Sequence, residues 1–207
     1  MNKTPFTLKI NYPHEYKDII LDFYKKFPDM YLGGSYALNA LGLINRDIYD
    51  LDFCISIKYK DEVIKYFIDK QKEVREKEKK GLGSVFFDII EKVRVSEPIV
   101  PKLQKSGFDD EVHIHEYLDW VKCGVFFYKE REKTFEIWDP IIDKIIEVSS
   151  PNRIIEAKKR YINAKKENPK DKDIVYYGNT EKHLKDLKVI KENLKSFNNK
   201  IFFSDLI

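Results

Sequence analysis

The residues with the clearest capacity for chemistry lie between Leu32 and Phe53. Asp50 and Asp52 stand two apart in a segment that alternates apolar and polar residues, as a half-buried strand does. Side chains at that spacing on a strand point the same way, so the two carboxylates share one face at close range. Such a pair repels unless a divalent cation lies between them, and hard oxygen ligands suit Mg²⁺ or Mn²⁺. Just upstream, Gly33 and Gly34 form a tight turn that opens a short apolar helix. Two glycines let backbone N–H groups approach a phosphate at a helix start, and the Ser35 hydroxyl adds a donor. Arg46 lies in the loop between that helix and the carboxylate strand, where it can reach a triphosphate or bridge to Asp47. Phosphate donors on one side and metal-binding carboxylates on the other describe a nucleoside triphosphate site.

Other candidates are weaker. His113 and His115 share a strand face, but no third zinc ligand has suggestive spacing. Lys182, Lys185, Lys188, Lys191 and Lys195 form a loose stripe that can receive an RNA backbone, although a solvated helix face is the commoner outcome. The run Lys70–Lys80 reads as a solvated helix face. No nucleophilic triad, P-loop or dinucleotide fingerprint is present.

The pattern Gly33-Gly34-Ser35, Ala37, Leu38, Leu41, Arg46, Asp50-Leu-Asp52-Phe53 resembles the nucleotidyltransferase superfamily related to DNA polymerase β, and within it the AbiEii-type nucleotidyltransferase toxins. The resemblance implies a mixed-sheet core that moves a nucleoside monophosphate from Mg²⁺–NTP to an acceptor hydroxyl. It further implies an RNA acceptor such as tRNA, an antitoxin partner, and a role in phage defence. Those toxins place a lysine on the helix after the core and a Lys/Arg-Asp-Leu segment on a later helix. Lys158 or Lys159 matches the first, as a group that neutralises the triphosphate, and Lys185-Asp186 matches the second. The superfamily also uses a third carboxylate on a neighbouring strand, because two metals are held by three acids. Family order points to Glu136, while spacing from Asp52 points to Asp88 within Phe86-Phe-Asp-Ile-Ile90. Glu136 is preferred. A catalytically silent binding module on the same fold is the alternative reading, and modification of a small molecule is a third.

These groups need elements to position them. Tyr16, Ile19, Ile20, Phe23, Tyr24 and Phe27 recur at helical spacing before Pro28, and Met30–Leu32 reads as the strand feeding the Gly-Gly turn. A helix follows from Asp61 to about Lys80. Residues 84–93 read equally as strand or helix, and 94–111 as an irregular connection. Strands are expected at 112–115, 124–128, 134–138 and 145–148, with 129–133 as a hairpin turn between the second and third. Ser149-Ser-Pro-Asn152 starts a basic amphipathic helix to Lys166, 167–173 is a polar break, and a last helix runs from Asn179 or Thr180 to about Phe197. The expected architecture is an α/β (α+β) fold: a mixed-sheet core over residues 1–150 flanked by helices, and a helical region over 151–207.

At 207 residues, 43% hydrophobic and 35% charged, the chain is long enough to bury a real core and is not of disordered composition. A net charge of +3 leaves any nucleic-acid contact to a local patch. Two cysteines do not make a disulfide framework, and neither a signal peptide nor a membrane-length apolar run is visible. A cytoplasmic location is expected, in a bacterium or, for a phage gene, its host.

Overall fold

A computed structural model describes residues 6–7, 12, 14–82, 103–105, 112–118, 121–167 and 180–204. The elements in chain order are β1 (Phe6–Thr7), α1 (His14–Lys26), β2 (Tyr31–Leu32), α2 (Gly34–Ala40), β3 (Asp50–Ser56), a 3₁₀ turn (Ile57–Tyr59) and α3 (Lys60–Leu82). There follow β4 (Leu103–Lys105), β5 (Val112–Leu118), β6 (Val121–Tyr128), β7 (Thr134–Asp139), β8 (Lys144–Ser149), α4 (Pro151–Glu167) and α5 (Thr180–Ser204). The expectations for residues 84–93 and for Asp88 lie outside the described residues, as does the break at 167–173 apart from Glu167, which ends α4.

The strands form one mixed sheet in the order β1-β7-β8-β2-β3-β6-β5-β4. The pairs β1/β7, β2/β8 and β3/β6 are parallel, and the others antiparallel. This is an α/β fold, with β3 near the middle of the sheet. Along β3, Leu51, Phe53 and Ile55 are fully buried while Asp50, Asp52, Cys54 and Ser56 are half-buried on the other face. The period of two therefore divides the strand into a core face and a face that carries the carboxylates.

Helices α1 and α3 cover the core face. The apolar stripe of α1 lays Phe23 flat on Phe53, ring centroids 4.1 Å apart, and the edge of Tyr66 from α3 meets Phe23 at 4.9 Å. Two lysines in the last turn of α1 and two acids in the first turn of α3 suit the dipoles of those helices. Helices α4 and α5 pack on the same molecule: Ile154, Ile190 and Phe197 belong to the one buried cluster, and the Asn193 side chain donates to the Leu43 carbonyl at 3.1 Å. Behind α2, the buried Asp139 carboxylate accepts from the hydroxyls of Tyr12 (2.6 Å) and Tyr36 and from the Ile141 (2.8 Å) and Ile142 (3.3 Å) amides. A buried carboxylate survives when its oxygens are satisfied in this way, and here it fastens α2 to the β7–β8 turn. No helix among the described residues is long and apolar enough to cross a membrane.

The stretch 94–111, expected to be irregular, contains the strand β4, which pairs antiparallel with β5. Two further expectations are corrected by the strand order. Residues 129–133 are not a hairpin turn, since β6 pairs with β3 and β5 whereas β7 pairs with β1 and β8. Glu136 cannot be a third carboxylate for the Asp50–Asp52 pair. It lies on β7, separated from β3 by β8 and β2, which at about 4.8 Å per strand step puts it about 14 Å away. There it is exposed and stands opposite Glu147.

Candidate metal and phosphate site

The Gly-Gly turn is built directly on the carboxylate strand. Antiparallel pairing of β2 with β3 carries Leu32 past Phe53, and the Gly33 N–H continues the ladder by donating to the Asp52 carbonyl at 2.7 Å. Gly34 adopts φ +51°, and a Cβ there would lie 1.7 Å from Asp52 Oδ2. Only glycine fits both the backbone and the space. From the second residue of α2, the Ser35 hydroxyl reaches Asp50 Oδ1 at 3.4 Å. Gly33, Gly34, Ser35, Asp50 and Asp52 therefore meet at one place.

The carboxylate pair is poorly satisfied by the protein. The Asp50 carboxylate receives only the long Ser35 contact, and the Asp52 carboxylate accepts no hydrogen bond from any described residue. Burial, with the neighbouring Asp50 charge second, pushes the Asp52 carboxyl up to about 7, against the opposing fields of Lys158, Lys182 and Lys122. Two convergent carboxylates short of donors, one of them cradled by a glycine, fit a hard divalent cation as oxygen ligands. No group of three or more metal-ligating side chains is found among the described residues, so further ligands would come from a bound phosphate and water. Neither strand flanking β3 supplies a third acid: β2 is Tyr31-Leu32, and β6 runs Val-Lys-Cys-Gly-Val-Phe-Phe-Tyr.

Beside the carboxylates is a cluster of cations gathered from three segments. Asn39 of α2 holds the loop that follows it, donating to the carbonyls of Ser35 and Arg46 (both 3.0 Å) and accepting from the Arg46 amide at 3.1 Å. Arg46, so placed, reaches α5: its guanidinium donates to Asp186 Oδ1 at 3.3 Å and Oδ2 at 3.2 Å. Lys158 of α4 donates to the same Oδ2 at 2.8 Å and lies 3.5 Å from His183 Nδ1. Burial pulls the Lys158 ammonium below the usual lysine value, and its single carboxylate does not fully offset this. Burial would likewise raise Asp186, yet that carboxyl is lowered, because it is shared by two cations. Burial and then the Lys158 charge bring the His183 imidazole down to about 4, which leaves it neutral near pH 7.

Most of the expected groups thus converge. Arg46 bridges to Asp186 rather than to the Asp47 side chain, meeting only the Asp47 carbonyl at 3.4 Å. Lys158 and not Lys159 turns inward, for Lys159 is exposed on the outer side of α4. Of the lysine stripe, Lys182 is half-buried and the other four are exposed. Asn39, Lys122 and His183 were not singled out by the sequence. Asn39 offered one signal, a polar residue four positions after Ser35 inside an otherwise apolar helix. Lys122 offered none, since only pairing across the sheet brings it to the site. Comparison with protein-family models, with curated proteins and with solved structures finds no match to this chain.

Proposed function

We propose that the chain is a metal-dependent nucleotidyltransferase that takes an NTP as donor and modifies an acceptor hydroxyl. The observation that carries this reading is the Asp50–Asp52 pair, short of hydrogen-bond donors and set against the Gly34 turn, with Arg46 and Lys158 close by. Mg²⁺ or Mn²⁺ held there would neutralise phosphate charge and lower the pKa of a coordinated hydroxyl. Asp50 and Asp52 bind and orient. Lys158 and Arg46 face the charge of the triphosphate, and Asp186 holds both in place. In the transfer, the acceptor oxygen forms a bond to the α-phosphorus while the bond to the bridging oxygen of the β-phosphate breaks. Pyrophosphate leaves with that electron pair, and the hydroxyl proton passes to solvent or to a nearby base. The resemblance to AbiEii-type toxins favours RNA, such as tRNA, as acceptor, and with it an antitoxin partner and a defence role.

The absence of a third acid on either strand flanking β3 favours a second reading, a silent binding module. One experiment separates them: incubation with Mg²⁺, each α-labelled NTP in turn, and total tRNA or cell lysate, beside Asp50→Ala and Asp52→Ala. Label on RNA that both variants lose is the expected result. No label with any NTP, from a protein that still binds nucleotide, would leave the silent module standing.

A further inference from the structure

The parallel pairing of β3 with β6 sets Asp50 opposite Lys122 and Asp52 opposite Gly124. Partners in register present their side chains on the same face of a sheet. Burial agrees: Cys123 and Val125 are fully buried with Leu51 and Phe53 on the core face, and Lys122 is half-buried like Asp52. Lys122 is thus one strand step, about 4.8 Å between backbones, from the carboxylate pair. Gly124, the residue on that face nearest Asp52, has no side chain to stand between them. The Lys122 ammonium makes no ion pair or hydrogen bond among the described residues, even with two acids alongside. Lys158, by contrast, is committed to Asp186. The flank of β3 where a third acid would serve a second metal instead carries an uncommitted positive charge.

We propose that Lys122 is a further phosphate-binding residue of this site, its ammonium taking a non-bridging oxygen of the donor's polyphosphate. The inference rests on the nucleotidyltransferase reading and narrows it. Two carboxylates and a metal hold one side of the phosphate chain, and a lysine rather than a third carboxylate meets the other. A compact ammonium suits this role, since it binds phosphate as a point charge. The lysine also repels a cation bound by Asp50 and Asp52, so its two effects on ligands have opposite sign.

That opposition supplies the test. Wild type, Lys122→Met, Lys122→Gln and Lys122→Arg are titrated calorimetrically with MgATP, MgGTP, MgCTP and MgUTP, and separately with Mn²⁺ alone by electron paramagnetic resonance. Thermal melts verify that each variant is folded, and the Gln variant serves where Met does not fold. The expected result is nucleotide binding weakened tenfold or more in Met and Gln and largely restored in Arg, while Mn²⁺ alone binds Met and Gln at least as tightly as wild type. Structural damage would weaken both ligands. Nucleotide bound equally by wild type and the neutral variants would overturn the role of Lys122 and leave the nucleotidyltransferase reading intact. A wild type that binds none of the four nucleotides would overturn both.

Discussion

Gly34 and Gly33 are adjacent, yet they face different demands. A methyl at Gly34 would collide with the Asp52 carboxylate and sit on a left-handed backbone, whereas one at Gly33 would meet Cys54 Sγ at 3.4 Å and the Asp52 carbonyl at 3.6 Å, ordinary contacts. Gly34→Ala is therefore expected to lower Mn²⁺ affinity at least tenfold and to lose about 1–2 kcal/mol of stability. Gly33→Ala should change each far less, and paired metal titrations and urea melts compare them. Asp52 carries a pH signature as well. Its folded carboxyl titrates near 7, whereas an unfolded one titrates near pH 4. Between those values the native state holds a proton that the unfolded chain has released, so stability falls as pH rises through the window. Asp52→Asn should remove that slope and be more stable than wild type at pH 8, and saturating Mg²⁺ should give wild type the same gain. An equal gap between wild type and variant at pH 5 and pH 8 in urea melts would refute this. Asp50, Asp52, Gly33 and Gly34 were legible in the sequence because their relation is local: a period of two and a turn. Lys122 was not, because its position depends on which strand lies beside β3.

The helices and most strands were equally legible, since α1, α3, α4 and β8 each carry their period within themselves. What the sequence could not express was order. Chain proximity makes 129–133 resemble a hairpin turn, but β6 runs parallel to β3 and β7 leaves for the far side of the sheet. The placement of Glu136 failed for the same reason. At this scale α5 is fastened to the core by apolar contacts at Ile190 and Phe197 and by Asp186, which two cations share. Asp186→Ala would leave Arg46 and a buried Lys158 without a counter-charge, and removing one partner from a buried pair costs about 3 kcal/mol. Lys158→Met combined with Asp186→Leu should be destabilised much less, because the buried ammonium goes with its partner and only the more exposed Arg46 loses a counter-charge. Urea unfolding of the two variants checks the ordering, and a double variant less stable than Asp186→Ala would refute it.

Across the whole molecule, the site joins segments distant in sequence: α2 and its loop, the neighbouring strands β3 and β6, and both C-terminal helices. A net charge of +3 says nothing of this concentration of cations, and sheet order with helix docking creates it. Asp139, fully buried, steadies the arrangement from behind by holding α2 at Tyr36, the residue next to Ser35. The sharing of Asp186 has a further consequence. That carboxylate is the counter-ion of Arg46 and Lys158. On the nucleotidyltransferase reading proposed above, a polyphosphate arriving between them would compete for the same two cations, making ligand and α5 rivals for one set of charges. Filling the site should then speed amide exchange over residues 180–190 while slowing it over 34–56, a pattern that exchange mass spectrometry reads directly. The C-terminal helix would in that case act as an exchangeable anion built into the chain, surrendering its hold as cargo is loaded.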